Sequence, residues 1–129
     1  LIHENGGIEF IIQSIKKIIK TKKGAQIGIA LLASITDLAT ANNTVAIVVS
    51  GPIAKEISDD YSISPKRTAS LLDIFTSTCQ GLIPYGAQLL IASNMSGITP
   101  IDIMPYLFYP VFMGISAVAY ILFKKEKIQ

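Results

Sequence analysis

Asp37-Leu38-Ala39-Thr40-Ala41-Asn42-Asn43-Thr44 interrupts a long apolar tract, residues 25–54, in which Asp37 is the only charge. As one unbroken helix the tract is about 45 Å long at 1.5 Å per residue. The hydrocarbon core of a bilayer is about 30 Å thick, so one straight crossing leaves helix to spare. The Asn pair is suited to ending one helix and N-capping the next. Residues 24–40 and 44–55 therefore read as two helical arms joined by a polar tip. The second arm is about 18 Å long, short of a crossing. Lys20, Lys22 and Lys23 stand at one outer end and Lys55 at the other. Lysines flanking both ends keep both on the cytoplasmic side. The consistent reading is a re-entrant hairpin, residues 24–55, whose tip is covered by protein.

The rest of the chain fits a membrane setting. Of its 129 residues 50% are hydrophobic and 16% charged, with a mean hydropathy of +0.51. A soluble domain carries about 25% charged residues. All Lys and Arg residues lie within 16–23, 55–67 or 124–127, whereas 74–101 and 103–123 hold no charge. This layout excludes a disulfide-rich secreted domain, a disordered tail and a nucleic-acid module. The net charge of +2 identifies no partner. The single cysteine, Cys79, reads as a small packed hydrophobe. No signal peptide pattern opens the chain. It begins at Leu1 rather than Met, and is expected to be the C-terminal portion of a longer carrier whose N-terminal half lies upstream.

Asn5-Gly6-Gly7 reads as a turn. Ile8, Ile11, Ile12, Ile15, Ile18 and Ile19 then recur at helical spacing, with Lys16, Lys17 and Lys20 mostly off that stripe. Residues 1–23 thus read as an amphipathic helix at the lipid boundary, ended by Gly24. Ser58–Ile63 is a water-facing loop carrying Asp59-Asp60. Ser64-Pro65 is a helix start, N-cap followed by proline at the first helical position. The helix from there to about Gln80 is broken by Gly81-Leu82-Ile83-Pro84-Tyr85-Gly86 and resumes over 87–93. Pro84 lacks an amide donor and clashes with the Gln80 carbonyl. Residues 64–96 form one broken transmembrane helix, 94–100 the outer turn, and 100–123 the last transmembrane helix, ending in Lys124-Lys125-Glu126-Lys127. The basic end places the C-terminus in the cytoplasm.

Carboxylates within membrane segments are costly and mark ion or proton pathways. Asp37 lies beside the hairpin tip. Asp73 lies about 12 Å into the broken helix. Asp73, Thr76, Ser77 and Gln80 fall at i, i+3, i+4 and i+7, a polar stripe leading to the break. Thr40 and Thr44 extend the polar face around Asn42 and Asn43. Tyr85 and Gln88 are positioned to hydrogen-bond between helices, Asp102 to cap a solvated helix start, and His3 carries no reading. Breaks in helices expose carbonyls, which with Asn and carboxylate oxygens suit a desolvated Na⁺, and amides, which suit an anion. Paired interrupted helices are the signature of secondary transporters.

Thr40-Ala41-Asn42-Asn43-Thr44-Val45-Ala46-Ile47 followed by Gly51-Pro52-Ile53-Ala54-Lys55 resembles the NhaC-type Na⁺/H⁺ antiporters. Ala69-Ser70-Leu71-Leu72-Asp73-Ile74-Phe75 and Gln80-Gly81-Leu82-Ile83-Pro84-Tyr85-Gly86-Ala87-Gln88 match the same family in the same order. The resemblance implies an all-α carrier of the ion-transporter superfamily, built from two inverted repeats that each contribute a re-entrant hairpin and an interrupted helix. The hairpin tips of that superfamily often carry Ser-Asn-Thr for binding Na⁺ and substrate. Asn42-Asn43-Thr44 departs from it by Asn in place of Ser, which keeps an oxygen ligand and leaves the co-substrate open. Some relatives exchange organic acids such as malate and lactate.

The expectation is a secondary active transporter and not an enzyme, needing no cofactor and exchanging Na⁺ for H⁺ across a bacterial cytoplasmic membrane. Its ion- or substrate-binding residues are Asp37, Thr40, Asn42, Asn43, Thr44, Asp73, Gln80, Tyr85 and Gln88, with Na⁺ held at Asp73, Asn43 and Thr44. Membrane lipid and the N-terminal half of the carrier are its partners, and homo-oligomerisation stays open. Two other readings are a Na⁺- or H⁺-coupled exchanger of small organic acids and a non-transporting subunit whose polar breaks lock helices together.

Overall fold

The computed structural model describes residues 6–124, which are all-helical with no strand among them. Expectations resting on His3, Asn5 and residues 125–127 lie outside the described residues, as do the side chains of Ile8, Ile11 and Ile12. Seven α-helices follow in order: α1 Gly7–Ile18, α2 Lys22–Thr40, α3 Asn43–Asp60, α4 Pro65–Leu82, α5 Ala87–Ser96, α6 Pro100–Ile103 and α7 Phe108–Phe123. A 3₁₀ turn, Met104–Tyr106, separates the last two.

Local chemistry sets the helix starts. Thr21 Oγ1 accepts from the Gly24 amide at 3.0 Å, and Ser64 Oγ from that of Arg67 at 3.3 Å. Thr99 Oγ1 accepts from Asp102 N at 3.4 Å and donates to the Asp102 carboxylate at 2.6 Å, a reciprocal cap on an exposed turn. Ser64-Pro65 and Asp102 thus take the roles read from sequence.

α2, α3 and α4 pack on one another, α7 lies along α4, and α1 docks on α2. Small side chains let the two hairpin arms approach closely: Ala25 and Ala33 on α2, and Ala46, Ser50 and Ala54 on α3, are all buried. Ile29, Ile57, Leu72 and Phe75 fill the centre. Gly28 presents bare backbone to Ile15 of α1 and to Ile19, its C-cap. Gly81 and Gly114 do the same between α4 and α7, where an added Cβ would meet Pro110 Cγ at 2.8 Å and Thr78 Cγ2 at 2.9 Å.

The antiparallel course puts two kinds of chemistry at opposite ends. At the base, Tyr61 Oη donates to the Ile19 carbonyl at 3.1 Å, and Lys16 pairs with Glu56 and, at 3.8 Å, with Asp60. Arg67 Nε donates to Gln26 Oε1 at 2.7 Å there. The hairpin tip and the gap between α4 and α5 occupy the other end.

Several boundaries differ from the sequence reading. Gly24 does not end α1, which stops at Ile18; it lies in the first turn of α2, because Thr21 caps a new helix. Ile18 leaves the expected apolar stripe and is 78% exposed, whereas Ile15 and Ile19 are buried. α3 does not stop near Lys55 but continues through Gly51-Pro52 to Asp60, giving 18 residues, or about 27 Å. Packing against α2 and α4 carries it across the proline, so arm length no longer argues for re-entry. Asp59 and Asp60 are exposed as expected, but in the last turn of this helix. α5 extends to Ser96, with Gly97 in the left-handed region at φ 71° as its cap. The last span is not one helix. It is bent by 54° between Pro100–Tyr106 and Phe108–Phe123, the only described helix pair long and apolar enough together to cross a membrane. No single described helix meets that condition.

Candidate functional site

The tip is built by one left-handed residue. α2 ends at Thr40, Ala41 takes φ 49°, and its amide returns to the Asp37 carbonyl at 2.7 Å. Asn42 is then extended and caps α3 through Oδ1, which accepts from Val45 N at 3.2 Å. Thr40 Oγ1 donates to the Thr36 carbonyl at 2.9 Å and also lies 3.2 Å from the Asn42 carbonyl. The Ala41 carbonyl is thereby released from any helix.

The break is built by one proline. α4 closes where Ile83 N returns to Cys79 O at 3.0 Å, and Ile83 itself is extended. The chain turns through Pro84 and Tyr85, with Gly86 N donating to Ile83 O at 3.0 Å. A Cβ on Gly86 would sit 3.2 Å from both Nε2 and the carbonyl oxygen of Gln80. Only glycine lets the start of α5 approach Gln80 this closely without displacing it.

Tip and break meet through side chains. Asn43 Nδ2 donates to Ser77 Oγ at 3.1 Å, and Asn43 Oδ1 accepts from Thr76 Oγ1 at 2.9 Å. Gln80 Nε2 donates to the Ala41 carbonyl at 3.1 Å and to Gln88 Oε1 at 2.8 Å. Tyr85 Oη donates to the Leu38 carbonyl at 2.8 Å. The orphan carbonyl of the tip is therefore satisfied by the side chain that precedes the break.

This network leaves three buried side-chain oxygens without a donor: both carboxylate oxygens of Asp37 and Oε1 of Gln80. Asp37 is fully buried at 0% exposure. The orientation of Gln80 is not arbitrary, because the Ala41 carbonyl can only accept and so fixes Nε2 toward it. Buried oxygens normally have partners, and a buried ionised carboxylate without one costs several kcal/mol. Lone oxygens at a helix interruption are what a proton or a hard, desolvated cation would occupy. No group of three or more His, Cys, Asp or Glu side chains suited to a metal occurs among the described residues.

Of the residues singled out in the sequence, Asn43, Gln80, Tyr85 and Gln88 join tip to break, Thr40 and Asn42 shape the tip, and Asp37 is buried one turn before it on α2. Asp73 and Thr44 do not join the buried cluster. Both are exposed in this chain. Asn43, named with them for Na⁺, has its amide committed to Thr76 and Ser77. Spacing puts Thr76 in a polar stripe, and the structure adds its complete burial and its contact with Asn43. The Ala41 carbonyl was missed outright, although any reversal at Asn42-Asn43 must orphan carbonyls of the preceding turn.

A family model described as the Na⁺/H⁺ antiporter family matches residues 1–125. No curated protein and no solved structure matches the chain. The family comprises transporters rather than enzymes, and its activity is the exchange of cations for protons. With the match covering nearly the whole sequence, the chain belongs to the Na⁺/H⁺ antiporter family.

Proposed function

We propose that the chain supplies one half of the ion site of a Na⁺/H⁺ antiporter of the NhaC type, embedded in the cytoplasmic membrane. The observation carrying this reading is Asp37, fully buried in the last turn of α2 before the tip, with no donor to either oxygen. A carboxylate so placed is neutralised by a proton or by a cation, and by one at a time. That competition is exchange: Na⁺ arriving displaces H⁺, and H⁺ arriving displaces Na⁺. Gln80 Oε1 supplies a second, neutral oxygen, held in aim by its bonds to Ala41 and Gln88. Gln88 belongs to α5 and Tyr85 to the break, so a shift of α5 would change the setting of Gln80 and the packing over the tip together.

The outward faces support a membrane setting. Phe108, Tyr109, Phe112 and Ile115 on α7, and Ile91 and Met95 on α5, are all at least 60% exposed in this chain. An apolar surface of this extent is covered in the working protein by lipid or by more protein. Asp73, outward on α4, is placed to meet the N-terminal half of the carrier and to act in the site from there. Lys16 and Tyr61 tie the lysine-rich α1 end to the base of α3, beside the base of α2, which favours both bases of these arms of about 27–29 Å on the cytoplasmic side.

The test is exchange by the full-length carrier in proteoliposomes holding a pH-sensitive dye. External NaCl raises the internal pH and choline chloride does not. Labelled malate or lactate uptake without any Na⁺-driven pH change would replace this reading with exchange of small organic acids.

A further inference from the structure

Cations from three helix ends gather at the base, two of them on one aromatic ring, far along the bundle from the tip. Arg67, in the first turn of α4, is held by Gln26 Oε1 at 2.7 Å, and its guanidinium carbon lies 4.7 Å from the centroid of the Tyr120 ring. Lys124, just past α7, lies 4.9 Å from the same centroid and donates to Tyr120 Oη at 2.5 Å. Lys23, at the start of α2, donates to the Leu122 carbonyl at 2.8 Å. None of these three cations has a carboxylate partner among the described residues, where the ion pairs are those of Lys16 with Glu56 and Asp60. The guanidinium spends donors on Gln26 and on the Tyr120 hydroxyl, and its remaining N–H groups are left for an anion. The N-terminal ends of α2 and α4 add partial positive charge.

An apolar groove between α4 and α7 leads away from this cluster, lined by Thr78, Leu82, Gly114, Ile115, Val118 and Leu122. The bare backbone of Gly114 makes room there. Leu122 thus borders both the groove and, through its carbonyl, the cationic cluster.

We propose that this is a binding site for an anionic phospholipid of the cytoplasmic leaflet, with its phosphate among Arg67, Lys23 and Lys124 and an acyl chain along the α4–α7 groove. Three cations with no carboxylate partner among the described residues match a phosphate, the remaining guanidinium donors suit its oxygens, and basic pockets between helices on the cytoplasmic side suit lipid headgroups. The groove favours a lipid over a free phosphate ion, which has nothing to place in it. The inference rests on the membrane reading above, but not on which ions the carrier moves.

The test uses the full-length carrier, delipidated in detergent, with lipid retention read by native mass spectrometry and no ion gradient present. Long-chain phosphatidylglycerol should be retained at least tenfold better than phosphatidylcholine, and better than its dihexanoyl analogue. Millimolar inorganic phosphate should not displace it. Each cation removed should weaken retention about fivefold, the usual contribution of a basic side chain near an anionic leaflet. Arg67→Gln/Lys23→Gln/Lys124→Gln should therefore lose about a hundredfold, while Lys17→Gln/Lys20→Gln/Lys55→Gln, equal in charge change, keeps most of it. If the first triple variant elutes aggregated, the single exposed changes Lys23→Gln and Lys124→Gln carry the test. Equal retention of the two headgroups, equal loss in both triple variants, or displacement by inorganic phosphate overturns the proposal. Failure of Na⁺/H⁺ exchange in proteoliposomes leaves this readout intact, and loss of lipid retention leaves the Asp37 reading intact.

Discussion

Removing Asn43 tests whether the hairpin tip is locked to α4 by side chains. Asn43→Ala deletes two bonds, Nδ2 to Ser77 Oγ at 3.1 Å and Thr76 Oγ1 to Oδ1 at 2.9 Å. Each is worth about 0.5–1.5 kcal/mol net. Thr76 keeps bonds to the carbonyls of Leu72 at 2.8 Å and Asp73 at 3.2 Å, so its hydroxyl is not orphaned. Ser77 is half-buried and can be reached by water. The loss therefore falls toward the low end, about 1–2 kcal/mol. Ser77→Ala removes one of the same two bonds, so the double variant must cost less than the sum. A coupling of about 0.5–1 kcal/mol between Asn43 and Ser77 is expected. Asn42→Ala makes the control. It removes the α3 cap, about 1 kcal/mol, without touching Ser77, so its coupling to Ser77→Ala should be near zero. Denaturant titration of the detergent-solubilised full-length carrier gives all the free energies. A coupling between Asn43 and Ser77 no larger than that control would show that the tip does not dock on α4 as described.

Other expectations follow from the same packing. Gly81→Ala places a Cβ 2.8 Å from the rigid ring of Pro110, so it should destabilise the α4–α7 contact by about 1–3 kcal/mol in the same titration. Glu56 holds the Lys16 ammonium above the ordinary lysine range, chiefly by its hydrogen bond. A raised lysine contributes its stability below its unfolded value and loses it as pH climbs through the folded one. Stability of the α1–α3 contact should thus be flat from pH 6 to 9 and decline only above about pH 10, and Lys16→Gln should matter little in 0.5 M salt. Cysteines introduced at Lys23 and at Lys55 should be labelled only from the cytoplasmic side; labelling from opposite faces would make 25–54 a single crossing.

The hairpin, the broken helix and the meeting of their polar parts were legible because each rests on local chemistry. Asn42 can cap, Pro84 cannot donate, and Ser64-Pro65 can only begin a helix. What sequence left open depends on what each face packs against. Asp37 and Asp73 look alike in one dimension, both lone acids in apolar helices. One lies on the α2 face turned into the bundle and is fully buried; the other lies on the α4 face turned away from it. Pro52 reads as a weak point by local rules, yet tertiary packing carries α3 through it to Asp60. The bend at Leu107 lies in a stretch, 103–123, whose continuous apolar composition gives no interruption to read, and its prolines stand at helix starts rather than inside one. Ala46, Ser50 and Ala54 recur at i, i+4 and i+8, but side chains so small stand out little among apolar neighbours, though they set how closely the arms approach.

The central claim is that Asp37 binds H⁺ and Na⁺ in turn, and Asp37→Asn in the full-length carrier tests it most directly. Asn keeps the shape while removing the charge that the two ions share, so the protein should insert and elute as the parent does. Na⁺-driven pH change in proteoliposomes should fall by at least a hundredfold, and the pH dependence of any remaining ²²Na⁺ binding should flatten. Asp73→Asn in parallel reports whether the outward carboxylate shares the task, with a partial loss expected. Wild-type exchange with an unchanged pH profile in Asp37→Asn would contradict the account, leaving Asp37 as a buried structural residue and moving the proton elsewhere.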